Sequence, residues 1–112
     1  LSHISSEVRD LATKAKNKDL QPSDWEGNTF TISNLGMFGI EEFTAIINPN
    51  DACILAVGGI KNTPIVKNGE IIVGNVMKVT LSCDHRIVDG AIGSAFLKTL
   101  KELIEDPIKI LV

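Results

Sequence analysis

The residues best suited to chemistry lie in one short segment, 82–90, which reads Ser-Cys-Asp-His-Arg-Ile-Val-Asp-Gly. Histidine side chains have an ordinary pKa of about 6.5, so a residue of this type can act as a general base near neutral pH. The segment lies between a predicted strand and a predicted helix, and such a corner presents a side chain rigidly to a cleft. His85 is therefore a candidate general base.

The residues of this segment also have structural interpretations. Asp89 is well placed as the N-cap of the helix that follows it. Asp84 and Arg86 can form an exposed ion pair that contributes little to stability, and His85 can make a structural hydrogen bond. A motif of this length is a weak signal on its own, so catalysis and structure both remain open from the spacing.

A second candidate for chemistry is Ser33, at the end of the predicted strand 29–33. A serine in this position is usually a turn residue, and the letters Ser-Asn-Leu-Gly that begin there are typical of a turn. Gly36 and Gly39 lack the further glycine and the lysine of a phosphate-binding loop, which argues against nucleotide binding. The other histidine, His3, lies in the first predicted helix and is assigned no role.

The elements that must position these side chains follow from hydrophobic periodicity. Apolar residues at helical spacing predict amphipathic helices over 1–17 and 91–105. Alternating or continuous apolar runs predict strands, and Asn-Gly at 68–69 predicts a two-residue hairpin turn. The predicted strands are 29–33, 52–57, 65–67, 70–73 and 76–83. This order predicts an α+β fold, with a mixed sheet flanked by helices.

The length and charge of the chain limit the classes of protein to which it can belong. A chain of 112 residues has the size of one modest domain, and a net charge of -3 argues against a nucleic-acid partner. No apolar run approaches the roughly 20 residues that a membrane span needs. The mean hydropathy of +0.17 is high for a small chain and predicts apolar contact with another subunit. Without a starting Met or a signal segment, the chain is expected to be part of a longer one.

The two cysteines, Cys53 and Cys83, lie inside apolar runs. This placement predicts two buried, reduced thiols rather than a disulfide or a redox pair, and therefore a reducing compartment. The chain has two histidines and no Cys-x-x-Cys motif, so no metal site is expected.

Three blocks of the chain resemble one known family. They are Thr-Phe-Thr-Ile-Ser-Asn-Leu-Gly-Met-Phe-Gly-Ile at 29–40, Ile-Ile-Asn-Pro at 46–49 and Leu-Ser-Cys-Asp-His-Arg-Ile-Val-Asp-Gly-Ala at 81–91. In this order and spacing they look like the catalytic domain of the dihydrolipoyl acyltransferases, the core components of 2-oxo acid dehydrogenase complexes. The first and third blocks are most similar to the acetyltransferases of the pyruvate dehydrogenase complex.

The resemblance implies a chloramphenicol-acetyltransferase-like fold, of which residues 1–112 form the C-terminal half, without a lipoyl or subunit-binding domain. It also implies that an acetyl group passes between the thiols of dihydrolipoamide and coenzyme A. By family analogy His85 removes a thiol proton, Ser33 stabilises the oxyanion, and Asp89 helps to hold the histidine loop. Coenzyme A and the lipoyl group are then substrates, and no cofactor is attached to this segment.

The resemblance further implies a homotrimer that assembles into a cubic or dodecahedral core, with His85 facing Ser33 of a neighbouring chain. The expected partners are lipoyl domains, together with the pyruvate decarboxylase and dihydrolipoamide dehydrogenase components that bind through other parts of the protein. The apolar segment 107–112 resembles the tail used near such contacts. No nucleic-acid or membrane partner is expected, and the location would be the bacterial cytoplasm or the mitochondrial matrix.

Other functions remain as alternatives. The chain could be a catalytically incomplete scaffold fragment of such a core, or a succinyl- or branched-chain acyltransferase of the same family. Non-catalytic relatives tend to lose the histidine, whereas His85, Asp89 and Ser33 are all present here. This favours an enzyme for the complete protein, while half a domain need not contain a complete channel.

Overall fold

The structure is a computed structural model that describes residues 1–111, so the last residue of the predicted apolar tail, Val112, lies outside the described residues. The elements are α1 (Ser2–Asn17), β1 (Phe30–Asn34), β2 (Cys53–Val57), β3 (Lys61–Lys67), β4 (Glu70–Val76), β5 (Val79–Cys83) and α2 (Gly90–Glu105). Short 3-10 turns occupy Pro22–Asp24, Gly36–Phe38 and Pro107–Leu111. Neither α-helix of residues 1–111 is long and apolar enough to cross a membrane.

Three strands form a mixed sheet in the order β1-β2-β5. Strand β1 runs parallel to β2, and β5 runs antiparallel to it. The register places Cys53 opposite Cys83, and it aligns Ser33 with Ala56 and, across β2, with Thr80. The prediction of an α+β fold with a mixed sheet is therefore confirmed.

Strands β3 and β4 pair as a separate antiparallel hairpin. Its turn residues Asn68 and Gly69 have φ values of 53° and 79°, the left-handed backbone that a two-residue turn requires. The predicted hairpin is confirmed, but the prediction of one strand over 76–83 is wrong at its start. Val76 ends β4 opposite Lys61, and the chain enters the central sheet only at Val79.

The core is centred on strand β2. Its residues Cys53, Ile54, Leu55 and Ala56 are all buried, with exposed fractions of 2–6%. A strand that has neighbours on both edges and packing on both faces is expected to be continuously apolar, and the sequence of β2 has this pattern. The central strand therefore carries the burial that holds β1 and β5 in place.

Helix α2 covers one face of the sheet. The rings of Phe96 on α2 and Phe30 on β1 lie 5.7 Å apart between centroids. Gly93 is buried where α2 crosses β5, and a β-carbon placed on it would lie 3.6 Å from Cys83 Sγ. The first turns of α2 are thus held against the end of β5, next to the segment that contains His85.

Much of the apolar surface has no partner within residues 1–111. The accessible surface is 9057 Å², whereas a folded monomer of this mass exposes about 6,000 Å². The radius of gyration is 16.6 Å, against about 13 Å for a compact domain of this length. Ile71 and Val73 of the hairpin are each 78% exposed, and α1 contains no buried residue.

Replacing Gly58 by Ala should destabilise the purified protein by about 1–3 kcal/mol or more, because overpacking forces the backbone to move. A β-carbon on Gly58 would lie 1.9 Å from the carbonyl oxygen of Glu41. The control is Gly90→Ala, since a β-carbon there meets nothing within 4 Å. Urea unfolding measures both variants, and equal midpoints would contradict the close approach at Gly58.

Candidate functional site

The segment between β5 and α2 begins with a tight turn whose first residue is Asp84. The Asp84 amide donates to the carbonyl of Ala52 at 2.8 Å, which extends the β2–β5 hydrogen-bond ladder by one residue. The Asp84 carbonyl accepts from the amide of Ile87 at 3.0 Å. His85 and Arg86 are therefore the two central residues of a β-turn, in which aspartate is a favoured first residue.

The Asp84 carboxylate closes this turn. Its Oδ1 accepts from the Arg86 backbone N–H at 3.0 Å, and its Oδ2 accepts from Arg86 Nη2 at 2.7 Å. Hydrogen bonds from the Arg86 side chain, and then from its backbone, lower the pKa of Asp84 to about 2. The predicted ion pair is present, and the backbone hydrogen bond adds an Asx-turn that the sequence analysis did not anticipate.

His85 is exposed at one wall of a shallow cleft of about 300 Å³. The cleft lies on the α2 face of the sheet, and its other walls include Leu81 and Cys83 of β5 and Gly93 of α2. Within residues 1–111 the imidazole makes no hydrogen bond of its own, so the structural alternative for this histidine is not observed. An imidazole placed in this way is accessible from the cleft.

Asp89 caps helix α2. Its Oδ1 accepts from the Ile92 backbone N–H at 2.8 Å, and its own backbone is extended, as an N-cap requires. The structural interpretation of Asp89 is therefore confirmed. Asp89 also lines the cleft that contains His85, so the capping hydrogen bond helps to fix the position of this wall of the cleft.

Ser33 does not approach His85 within one chain. In the sheet register Ser33 is level with Thr80 of β5, and strand β2 lies between them. Thr80 is three residues, or about 10 Å, before the end of β5 at Cys83, and His85 follows that end. Side chains alternate along a strand, and Phe30 faces α2, so half-buried Ser33 points to the opposite face of the sheet. The structure thus separates two of the three predicted site residues.

The turn after Ser33 is held by a side-chain hydrogen bond and by backbone contacts. Asn34 Oδ1 accepts from the Gly36 N–H at 2.9 Å, and the Leu35 N–H donates to a carbonyl of β2 at 3.2 Å. A β-carbon on Gly36 would lie 2.8 Å from the carbonyl oxygen of Gly58. The predicted sharp turn is confirmed, and glycine is needed there because two backbones meet.

Asp51 is a buried carboxylate that the sequence analysis did not single out. Its side chain is 5% exposed and accepts hydrogen bonds from the Asn28 amide and the Thr31 hydroxyl. It directly precedes Ala52, whose carbonyl binds the Asp84 amide. The only sequence signal was the turn Asn-Pro-Asn-Asp, which predicts a bend but not the burial of its last residue.

Both cysteines are free thiols, and Cys53 is buried as predicted, whereas Cys83 is half-buried. Burial, followed by the neighbouring Cys83 thiol and the charge of Asp84, raises the pKa of Cys53 to about 11. A thiol of this pKa stays protonated at neutral pH, so Cys53 is not a nucleophile there. No cluster of side chains in residues 1–111 has the composition to hold a metal ion.

The chain matches one protein family over residues 1–112, described as 2-oxoacid dehydrogenases acyltransferase (catalytic domain). It is similar to the dihydrolipoyllysine-residue acetyltransferase component of the pyruvate dehydrogenase complex of Rickettsia felis, with 49% identity over 109 residues, 97% of this chain and 26% of that protein. It is also similar to component 3 of the mitochondrial complex of Arabidopsis thaliana, with 54% identity over 110 residues, 96% of this chain and 20% of that protein. The chain therefore spans about a quarter or less of the length of these curated relatives.

Two solved structures share its fold. The dihydrolipoamide acetyltransferase of Azotobacter vinelandii aligns with a TM-score of 0.93 and 34% identity, over 98% of this chain and 45% of that chain. The cubic core of a pyruvate dehydrogenase multienzyme complex aligns with the same values. A serine, a histidine and an asparagine of the Azotobacter protein were investigated for roles in its catalytic mechanism; the histidine follows the serine by 52 positions, and the asparagine follows the histidine by four.

Replacing Asp89 by Ala should lower the free energy of unfolding by about 1 kcal/mol, because helix α2 loses its N-cap acceptor. Asp89→Asn keeps an acceptor oxygen and should therefore lower the free energy of unfolding by less than Asp89→Ala does. Asp106→Ala, at the other end of α2, is the control, since that carboxylate has only an exposed pair with Lys109 at 3.8 Å. Urea unfolding of the purified protein compares the three variants, and equal losses for Asn and Ala at position 89 would contradict the cap.

Proposed function

Because the chain belongs to the catalytic-domain family of the 2-oxoacid dehydrogenase acyltransferases, we propose that it is the C-terminal half of an acetyltransferase domain. In this proposal the complete protein forms the core of a pyruvate dehydrogenase complex. The observation that carries it is the placement of three residues. Ser33, His85 and Asp89 have the same separations, 52 and four positions, as the serine, histidine and asparagine of the Azotobacter acetyltransferase.

The proposed reaction moves an acetyl group from acetyl-dihydrolipoamide to coenzyme A. A free thiol has a pKa near 8.5 and attacks only as its thiolate, so it needs a base. His85 accepts the proton of the coenzyme A thiol, and the thiolate attacks the thioester carbonyl. Collapse of the tetrahedral intermediate breaks the bond between the acetyl carbon and the lipoyl sulfur. The imidazolium then returns its proton to that sulfur.

Ser33 is proposed to donate a hydrogen bond to the oxyanion of the tetrahedral intermediate. Within one chain it lies on the opposite face of the sheet from the cleft of His85, so a second copy must supply it. The unpartnered apolar surface and the two open edges of the sheet support such an assembly, because exposed strand edges favour association. We propose a homotrimer that assembles into a larger core, like the solved cubic core with the same fold.

Asp89 is proposed to hold the histidine loop through its cap on helix α2. The Azotobacter protein has an asparagine four positions after its histidine, where this chain has an aspartate. Both side chains provide an oxygen that can accept the N-cap hydrogen bond, so the substitution keeps this function. In this proposal Asp89 holds the loop and does not take part in proton transfer.

Coenzyme A and the lipoyl group are proposed as substrates, and the decarboxylase and dehydrogenase components as partners of other parts of the complete protein. Relatives from bacteria and from mitochondria carry the acetyltransferase name, which supports the bacterial cytoplasm or the mitochondrial matrix as the location. The chain matches 45% of the solved catalytic chain, and its surface is larger than that of a complete domain. Both observations support a half-domain.

Replacing His85 by Ala in the full-length protein should lower acetyl transfer by about 10²-fold or more, because general-base catalysis contributes on that order. The assay follows transfer from acetyl-coenzyme A to dihydrolipoamide, and light scattering checks that the core still assembles. His3→Ala is the control, since His3 is 93% exposed and lies on α1. Full turnover of the His85 variant in an intact core would remove the base assignment and with it the proposed function.

Replacing Ser33 by Ala should lower kcat by about 10²-fold, the usual effect of losing one oxyanion donor, while KM for acetyl-coenzyme A changes little. The exposed helix serine Ser5, changed to Ala, is the matched control. An effect confined to KM would make Ser33 a binding residue instead.

A scaffold function of the isolated chain is a second candidate, because the separation of Ser33 from His85 leaves one copy without a complete site. The solution mass of the chain and its transferase activity distinguish the two functions. A trimer or larger particle with turnover that depends on His85 supports a working site in this half. A monomer or an inactive oligomer supports a scaffold whose chemistry needs the complete domain.

A further inference from the structure

We propose that Asp84 is a positioning residue for the transfer reaction, because its side chain fixes the turn that presents His85 to the cleft. The inference rests on the proposed function, since it assumes that His85 accepts the thiol proton. It adds a role for a carboxylate that does not itself touch either substrate.

The backbone amide, the backbone carbonyl and the side-chain Oδ1 of Asp84 all take part in fixing this turn. Its amide binds the carbonyl of Ala52 at 2.8 Å, and its carbonyl accepts from the amides of Ile87 and Val88, both at 3.0 Å. Its Oδ1 accepts from the Arg86 backbone N–H at 3.0 Å. The hydrogen bond from the Asp84 amide attaches the turn to Ala52, the residue directly before β2, and the other hydrogen bonds set the path of the chain on either side of His85.

The position of the imidazole depends on this backbone, because the His85 side chain itself makes no hydrogen bond within residues 1–111. His85 is exposed, and its neighbours in the turn are fixed through Asp84 and not through the histidine. A general base must lie within about 2.6–3.2 Å of the proton that it accepts, and a displacement of about 1 Å can cost about 10²-fold in rate. The turn therefore controls the distance on which the chemistry depends.

The support of the turn extends into the core. Ala52 follows the buried Asp51, which accepts hydrogen bonds from Asn28 and Thr31. The carbonyl of Ala52, which accepts the hydrogen bond from the Asp84 amide, therefore follows a residue that is fixed by side chains of strand β1 and of the segment before it. A rigid support of this kind is what a precisely placed catalytic side chain needs.

The backbone hydrogen bond, and not the ion pair, is the part of Asp84 that positions His85. The Arg86 side chain is 88% exposed, and exposed ion pairs contribute little to stability. The bond from Oδ1 to the Arg86 N–H instead restricts the main chain directly after the histidine. Asparagine can keep this short side-chain bond without charge, whereas glutamate keeps the charge but is one methylene too long for the turn.

The test uses Asp84→Asn and Asp84→Glu in the full-length protein, with kcat and KM measured for acetyl-coenzyme A and for dihydrolipoamide. Asp84→Asn should keep kcat within about threefold, and Asp84→Glu should lower it by about tenfold or more, with both KM values nearly unchanged. Rescue by Asn, together with a loss confined to kcat, separates positioning from a general loss of stability.

Asp24 offers a matched control outside the site. Its carboxylate also accepts from a backbone amide, that of Gln21 at 2.9 Å, and it pairs with Lys14 at 3.4 Å. The same Asn and Glu substitutions there change a side-chain-to-backbone hydrogen bond of similar chemistry in the 3-10 turn Pro22–Asp24. They should leave kcat unchanged.

Two results would overturn the proposal: parent-like kcat in Asp84→Glu, or an equal loss of kcat in Asp84→Asn and Asp84→Glu. The His85→Ala variant in the same assay distinguishes this failure from a failure of the proposed function, which requires that variant to lose about 10²-fold or more of its acetyl transfer. If Asp84→Glu does not assemble, Arg86→Gln decides, since it removes the ion pair and keeps the turn. It should retain kcat within about threefold, and a tenfold loss would assign the effect to the ion pair.

Discussion

The burial of strand β2 between β1 and β5 is the constraint on which the rest of the structure depends. Four consecutive residues, from Cys53 to Ala56, are buried and fill the centre of the sheet. Because hydrophobic burial is the main favourable term in folding, the register of the two neighbouring strands follows from the packing around β2. That register places Ser33 near one end of the sheet and the turn of His85 beyond the other.

Strand β2 also supports the candidate site. The β2–β5 ladder continues past β5 through the bond between Asp84 and Ala52, so the turn that contains His85 begins as an extension of the sheet. Helix α2 starts a few residues later, with its cap at Asp89 and its close contact with β5 at Gly93. The exposed histidine is thus held between two rigid elements, which suits a group that must meet a substrate at a fixed distance.

The large open surface and the divided site have a common physical explanation. A sheet of three strands with one covering helix buries too little apolar area to enclose a channel, so both edges of the sheet and much of the β3–β4 hairpin remain open. In the proposed assembly, a partner surface that covers these regions would also bring Ser33 of one copy toward His85 of another. Assembly and catalysis would then depend on the same apolar contacts, which fits a family whose solved members include a cubic core.

The sequence by itself determined the features that depend on local chemistry. Helical periodicity, the Asn68-Gly69 turn and the cap by Asp89 were predictable because each involves residues within a few positions of one another. The end of β4 at Val76 was misplaced, since apolar alternation cannot tell where a chain leaves one sheet for another. The tertiary structure alone decided the separation of Ser33 from His85 and the support of the turn by β2. Both depend on strand register and on hydrogen bonds between residues far apart in the chain, and local patterns do not encode either.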